Sequence, residues 1–121
     1  MRALVRFTWK YFIAHPEFLS LLATENLHRA ASLKTLPHIR ELHSPLIGMI
    51  SELLDRGARR KLFRAGVDPM QLYISIAALG FFYLSNRFTL STIFGRDLSA
   101  PNALVEREAH VAEVVIGYLR A

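Results

Sequence analysis

Residues 68–86 read DPMQLYISIAALGFFYLSN, and they decide the fold. Asp68 is a good N-cap, Pro69 suits the first helical position, and Gln71 stands at the capping-box position. The spacing predicts a helix from Pro69 to about Asn86. Leu72, Tyr73, Ile74, Ile76, Leu79, Phe81, Phe82, Tyr83 and Leu84 leave it without a polar face, so it must be buried on every side. A bilayer is the rival cover. At about 1.5 Å per residue the run falls just short of a hydrocarbon core, and it carries Gln71, Ser75 and Asn86. The soluble-type cap fits a packed helix better.

Upstream, Leu46, Ile47, Met49, Ile50, Leu53 and Leu54 recur at helical spacing. That helix ends in DRGARRKLFR, 55–64, the most charged part of the chain, which runs into a loop closing at Ala65-Gly66. Gly57 and Gly66 are lone glycines near a helix end, which capping explains. Downstream, Arg87–Leu98 is a short irregular piece containing Gly95. The last helix runs from about Pro101 to Leu119. Leu104, Val111, Val115 and Tyr118 form one apolar stripe, and Val105, Ala109, Ala112, Ile116 and Leu119 form a second beside it. Glu106, His110, Glu113 and Arg120 form the polar stripe. One apolar seam serves the chain's own core; the other is free for a neighbour.

Towards the N-terminus, 1–14 is a helix. Arg2, Arg6 and Lys10 make one basic stripe on a surface otherwise built from Leu4, Val5, Phe7, Trp9, Phe12 and Ile13. No capping signal precedes it. His15-Pro16 breaks it, and 16–30 forms the next helix. The pattern fails around Ser32. Pro37 then opens a third helix containing His38, Ile39, Leu42 and His43, which Pro45 kinks or restarts. The whole is one domain, 1–121: an all-α bundle of five to six helices, without repeat, low-complexity run or linker.

Composition agrees with this. A chain of 121 residues makes one domain. At 52% hydrophobic and 21% charged it is not disordered, and so apolar a small globule needs more than one face covered. The absence of cysteine excludes a disulfide scaffold, a cysteine zinc finger and a thiol nucleophile. Trp9, Lys10 and Tyr11 interrupt any signal-peptide pattern, so the cytoplasm is the expected compartment. Lys and Arg outnumber Asp and Glu by 15 to 10, a net charge of +5.

Few residues group as chemistry requires. Glu25 with His28, and His38 with Glu41 and His43, are the nearest to a metal set, but no HExxH spacing exists. No nucleophile elbow, P-loop or dinucleotide fingerprint is present. No metal, cofactor or enzymatic activity is therefore expected. The cations Arg56, Arg59, Arg60, Lys61 and Arg64 suit phosphates, yet no recognition-helix pattern accompanies them, and a solvated helix end explains them as well. Trp9, Tyr11, Phe12, Phe63, Tyr73, Phe81 and Tyr83, with Glu25, Asn26 and Arg29, supply apolar walls and a few polar anchors. That is what a small-molecule pocket needs, and also what a plain core contains. A small helical membrane-associated or scaffold protein, and a metal- or cofactor-using enzyme, stay open on these residues alone.

Three stretches resemble one family. HPEFLSLLATEN at 15–26, LLDRGARRKLFRAGVDPMQLYISIAALGFF at 53–82 and IFGRDLSAP at 93–101 are similar to the C-terminal effector-binding and dimerisation domain of TetR-type (tetracycline-repressor family) transcriptional regulators. The likeness covers essentially the whole chain, and its middle passage is the specific part. One departure is Lys61, where relatives often have glycine in a tight turn. If that turn is left-handed, Lys61 costs about 1 kcal/mol.

The resemblance implies a regulatory domain of a one-component bacterial transcription factor. A helix-turn-helix would precede residue 1, and 1–14 would be the family's connecting helix, cut in its middle. DNA would be met only through that absent segment. The last two long helices would pair with their copies in a homodimeric four-helix bundle. Leu79, Phe82, Tyr83, Asn86, Val111, Val115 and Tyr118 are the implied interface. An unidentified small-molecule effector would bind among the first four helices and the inner face of 69–86. Trp9, Phe12, Ile13, Leu22, Glu25, Asn26, Ile50, Tyr73, Ile76 and Ala77 are the implied pocket residues. Trp9, Phe12 and Ile76 would supply wall; Glu25, Asn26 and Tyr73 would orient the ligand. No membrane contact is expected.

Overall fold

The computed structural model describes residues 1–36 and 44–121. These form seven helices: α1 (Arg2–Ala14), α2 (Pro16–Leu27), α3 (Ala31–Lys34), α4 (Ser44–Arg59), α5 (Pro69–Ser85), α6 (Arg87–Phe94) and α7 (Pro101–Leu119). The described residues contain no strand, only a single antiparallel bridge between Phe63 and Arg120. The domain is all-α as expected, and the described residues alone hold seven helices, counting two short ones. The predicted helix opening at Pro37 lies outside the described residues. Pro45 is the second residue of α4, where a missing N–H leaves no helical hydrogen bond unmade.

Two helices were not anticipated. α3 is a single turn. α6 replaces the expected irregular piece, and local polar groups explain it. The Ser91 hydroxyl donates back to the Arg87 carbonyl at 2.6 Å, and Thr92 to Phe88 at 3.1 Å. Such bonding satisfies these residues inside a helix. Gly95, at φ +64°, then closes α6 in the left-handed conformation.

α5 begins as its sequence dictates. The Asp68 carboxylate accepts the amides of Met70 (2.9 Å) and Gln71 (3.4 Å), and Pro69 follows it. The helix then packs against α1, α2, α4, α6 and α7. Its two ends sit in two core layers. Leu72 and Ile76 join Val5, Ile50, Leu54, Val111, Val115 and Leu119 in the first. Tyr83 and Leu84 join Trp9, Phe12 and Leu19 in the second. α1 thus runs parallel to α5, and α7 antiparallel. Gly80 lets α1 come close: a Cβ there would lie 3.2 Å from the Phe12 ring.

The turn after α4 explains two residues. Leu62 N–H donates to the Gly57 carbonyl at 2.9 Å and Lys61 N–H to that of Ala58 at 3.0 Å, the paired bonds of a Schellman motif. That motif requires a left-handed residue, and Lys61 supplies it at φ +59°. Gly57 is not a cap. It lies within α4 with the Phe63 ring folded directly onto its Cα, leaving no room for a side chain. Arg29 closes α2 by the same paired bonds, at φ +56°.

Lys61→Gly removes left-handed strain without touching a packed side chain. We expect a gain of about 1 kcal/mol in unfolding free energy. It should read as a higher urea midpoint at unchanged m-value.

Candidate functional site

Among the described residues, α1 is closely covered on one side. Val5, Trp9 and Phe12 face the core, and Arg2, Arg6 and Lys10 face solvent as expected. A third stripe, Leu4, Phe7, Thr8 and Tyr11, borders a cavity of about 300 Å³. Phe12 and Phe18 close one wall, with Leu46 from α4 and Tyr73 from α5 opposite. The aromatic rings brace each other. Tyr11 meets Phe18 edge-on at 5.5 Å, and Phe12 stacks on Phe18 at 6.2 Å. The His15 ring lies 4.4 Å from that of Tyr11.

No charged residue is among these eight lining side chains. The polar ones are Thr8 and the phenols of Tyr11 and Tyr73. The Thr8 hydroxyl is committed to the Leu4 carbonyl at 2.9 Å. The cavity therefore suits a flat, mostly apolar molecule held by ring contacts and a few hydrogen bonds.

Of the ten residues expected around a ligand, Phe12 and Tyr73 line this cavity. Trp9 sits behind it, on the core face of α1, with its ring 5.8 Å from Tyr83. Ile50 and Ile76 are wholly inside the first core layer, and Ala77 packs against the second. Ile13 is on the exposed edge of α1. Leu22, Glu25 and Asn26 lie further along α2, where Glu25 Oε2 is buried without a partner among the described residues. Tyr11, which the sequence offered among the aromatic walls, lines it too, while Leu4, Phe7, Thr8, Phe18 and Leu46 were not anticipated as lining. The signal was present: Leu4, Thr8 and Tyr11 follow helical spacing one step round from Val5, Trp9 and Phe12.

A second feature is the outer face of α5 and α7. Ile74, Ala78 and Phe82 recur at intervals of four and lie exposed, Phe82 at 59%. Val114 and Tyr118 on α7 are exposed at the same spacing. Between them runs a groove of about 260 Å³ bordered by Gln71, Ser75, Leu79, Val114 and Tyr118. So the described residues of the chain do not bury α5 all round. Of the expected interface residues, Leu79, Phe82 and Tyr118 lie on this face. Asn86 caps the end of α5, donating to the Phe82 carbonyl at 2.9 Å. Val111, Val115 and Tyr83 are buried within the chain itself.

The seams of α7 also divide differently from the sequence pattern. Leu119 joins Val111 and Val115 inside, while Val105 stands 64% exposed. Arg107 anchors this rotation. Its Nη2 donates to the Leu79 carbonyl at 2.9 Å, and its guanidinium lies 5.4 Å from the Tyr83 ring centre. The Tyr83 hydroxyl donates in turn to the Leu98 carbonyl at 2.7 Å.

Residues 1–115 match the family model for the tetracyclin repressor-like C-terminal domain. The chain belongs to this family. It is also similar to the HTH-type transcriptional repressor NicS of Pseudomonas putida, at 34% identity over 120 residues. That match covers 99% of this chain and 57% of NicS, so the chain spans little more than half of that curated relative. In this tetracyclin repressor-like domain no described helix is long and apolar enough to cross a membrane. Nor do three or more His, Cys, Asp or Glu side chains group as metal ligands among the described residues. His38 and His43 lie outside them.

Burial raises the Tyr83 phenol above its usual pKa, with the Arg107 charge opposing. The folded state thus prefers the neutral phenol. Its contribution is complete below the unfolded value of about 10 and is lost as pH rises through the folded value. Urea unfolding at about pH 9 to 11 should show Tyr83→Phe with a shallower loss of stability than the parent.

Proposed function

We propose that the chain is the regulatory domain of a one-component bacterial transcription factor working in the cytoplasm. It takes a small aromatic effector in the cavity beside α1 and dimerises through α5 and α7. The observation that carries this reading is the double role of α1. The same helix walls the cavity with Phe7, Thr8 and Tyr11 and packs its opposite face on α5 and α7.

The mechanism follows from that placement. A ligand wedged among Tyr11, Phe18 and Tyr73 pushes on α1, and α1 cannot sink further into the core because Phe12 already abuts Gly80. It tilts instead. A DNA-reading segment joined to α1 would be moved by the tilt, and two such segments in a dimer would change spacing. The ligand must favour one tilt over the other, since equal affinity for both transmits nothing. In this reading the Tyr11 and Tyr73 rings flank the ligand, and the Thr8 oxygen, whose proton goes to the Leu4 carbonyl, can still accept a hydrogen bond from it. Family membership and the repressor relative support it.

The cavity lies at the small end of ligand sites, which run from about 300 to 1,000 Å³. One- or two-ring aromatics are the fitting class. A thermal-shift screen with neutral phenols and indoles should raise the melting temperature, because binding favours the folded state. Phe18→Trp fills the cavity and should abolish that shift while the protein stays folded. A panel without a single shift, or one that Phe18→Trp leaves intact, sinks the pocket assignment.

The outer face is tested separately. Light scattering should give a mass near twice 13.8 kDa. Phe82→Glu places a charge in the apolar stripe and should halve the mass while leaving the helical signal unchanged. A parent chain that is monomeric at high concentration refutes the interface.

A further inference from the structure

Six of the fifteen Lys and Arg gather at one end of the bundle. The last turn of α4, the loop after it and the end of α7 bring together Arg56, Arg59, Arg60, Lys61, Arg64 and Arg120, all exposed. Backbone pairing holds them there. The Arg64 N–H donates to the Leu119 carbonyl at 2.7 Å, and Phe63 bridges to Arg120. The Arg64 guanidinium lies 4.7 Å above the Tyr118 ring. A groove of about 380 Å³ between α4 and residues 64–67 has Arg59 and Arg64 on its walls, with Asp55.

None of the six cations is ion-paired to a carboxylate among the described residues. One or two basic groups suffice to answer the dipole at the end of α4. Six crowded ones repel each other, which makes an external polyanion the natural counter-charge. Five of the six are arginines, whose planar forks match phosphate oxygens.

We infer that this end of the domain docks on the phosphate backbone of double-stranded DNA, by charge and without reading sequence, a second contact where the family resemblance implied DNA would be met only through the segment before residue 1. Its position favours that partner. Met1 and Phe63 pack on the same core layer, so the patch sits at the end where α1 begins. The relative NicS is HTH-type. In the regulatory reading above, a DNA-reading segment joins through α1 and brings a duplex to this end. The inference rests on that reading for which duplex is met; the patch's own affinity does not.

The test is fluorescence anisotropy of a short, labelled, random-sequence duplex titrated with this chain. Each phosphate neutralised contributes a slope of about −0.9 in log affinity against log salt, so six contacts give about −5. Binding should weaken about 10³-fold between roughly 50 and 200 mM salt. Arg56, Arg59, Arg60 and Arg64, all changed to Gln, should bring the slope to about −2. Arg60→Gln alone should reduce its magnitude by about 1, which guards against a misfolded multiple variant. Changing Lys10, Arg29 and Lys34 to Gln, at the other end, should leave it unchanged. No binding at the lower salt, an unchanged slope in the patch variants, or an equal loss in the far-end variant overturns the inference. So does preference for polyglutamate over duplex, which assigns the patch to an acidic protein surface. Solution mass and the aromatic thermal shift read the regulatory assignment independently, so the two failures are distinguishable.

Discussion

The structure depends on covering α5. A helix of 17 residues with no charged side chain has no face that water solvates well, so the rest of the chain is arranged around it. α1, α4 and α7 bury Leu72 and Ile76; α1 and α2 bury the layer at Tyr83 and Leu84. Among the described residues the uncovered side of α5 includes the apolar stripe Ile74, Ala78 and Phe82, with Gln71 and Ser75 beside it. Contiguous exposed apolar surface on a small domain marks an interaction site, and in the dimer proposed above a two-fold pairing with α7 would close it with itself.

The position of α1 couples that bundle to the cavity. Glycine at position 80 admits Phe12 at contact distance, which fixes the depth at which α1 lies. Its core stripe then belongs to the bundle and its neighbouring stripe to the cavity. In the proposed mechanism that leaves α1 one direction to move, a rotation or tilt towards the side on which the described residues cover it least. In the proposed reading a ligand of modest size would act on that direction, with Leu4, Leu46 and Tyr73 standing between it and the first core layer.

The turns show how local geometry overrode residue preference. Lys61 and Arg29 adopt left-handed backbone although glycine would do so without strain. At Lys61 the reason lies in the next residues. The Schellman turn directs Phe63 back over Gly57 and lines up residues 62–64 with the end of α7. The same lining-up gathers the arginines of α4 and α7 at one end. Packing and charge there come from one backbone turn.

Much of this was legible in the sequence by itself. The Asp68-Pro69 start, the apolar run behind it, the terminal helix and the all-α class follow from nearest-neighbour rules: capping, helical period and the φ restriction of proline. Those rules act within a few residues, so a linear reading reaches them. The family likeness was carried by the same passages. Tertiary structure alone decided which stripe faces which partner. Val111, Val115 and Leu119 turned inward to pack on Val5, Ile50, Leu54, Leu72 and Ile76, residues distant in the chain, and the Arg107 bond to the Leu79 carbonyl accompanies that placement. Phe7, Tyr11, Phe18, Leu46 and Tyr73 became one cavity because four helices cross there, and no periodicity in a single helix records the angle at which another crosses it.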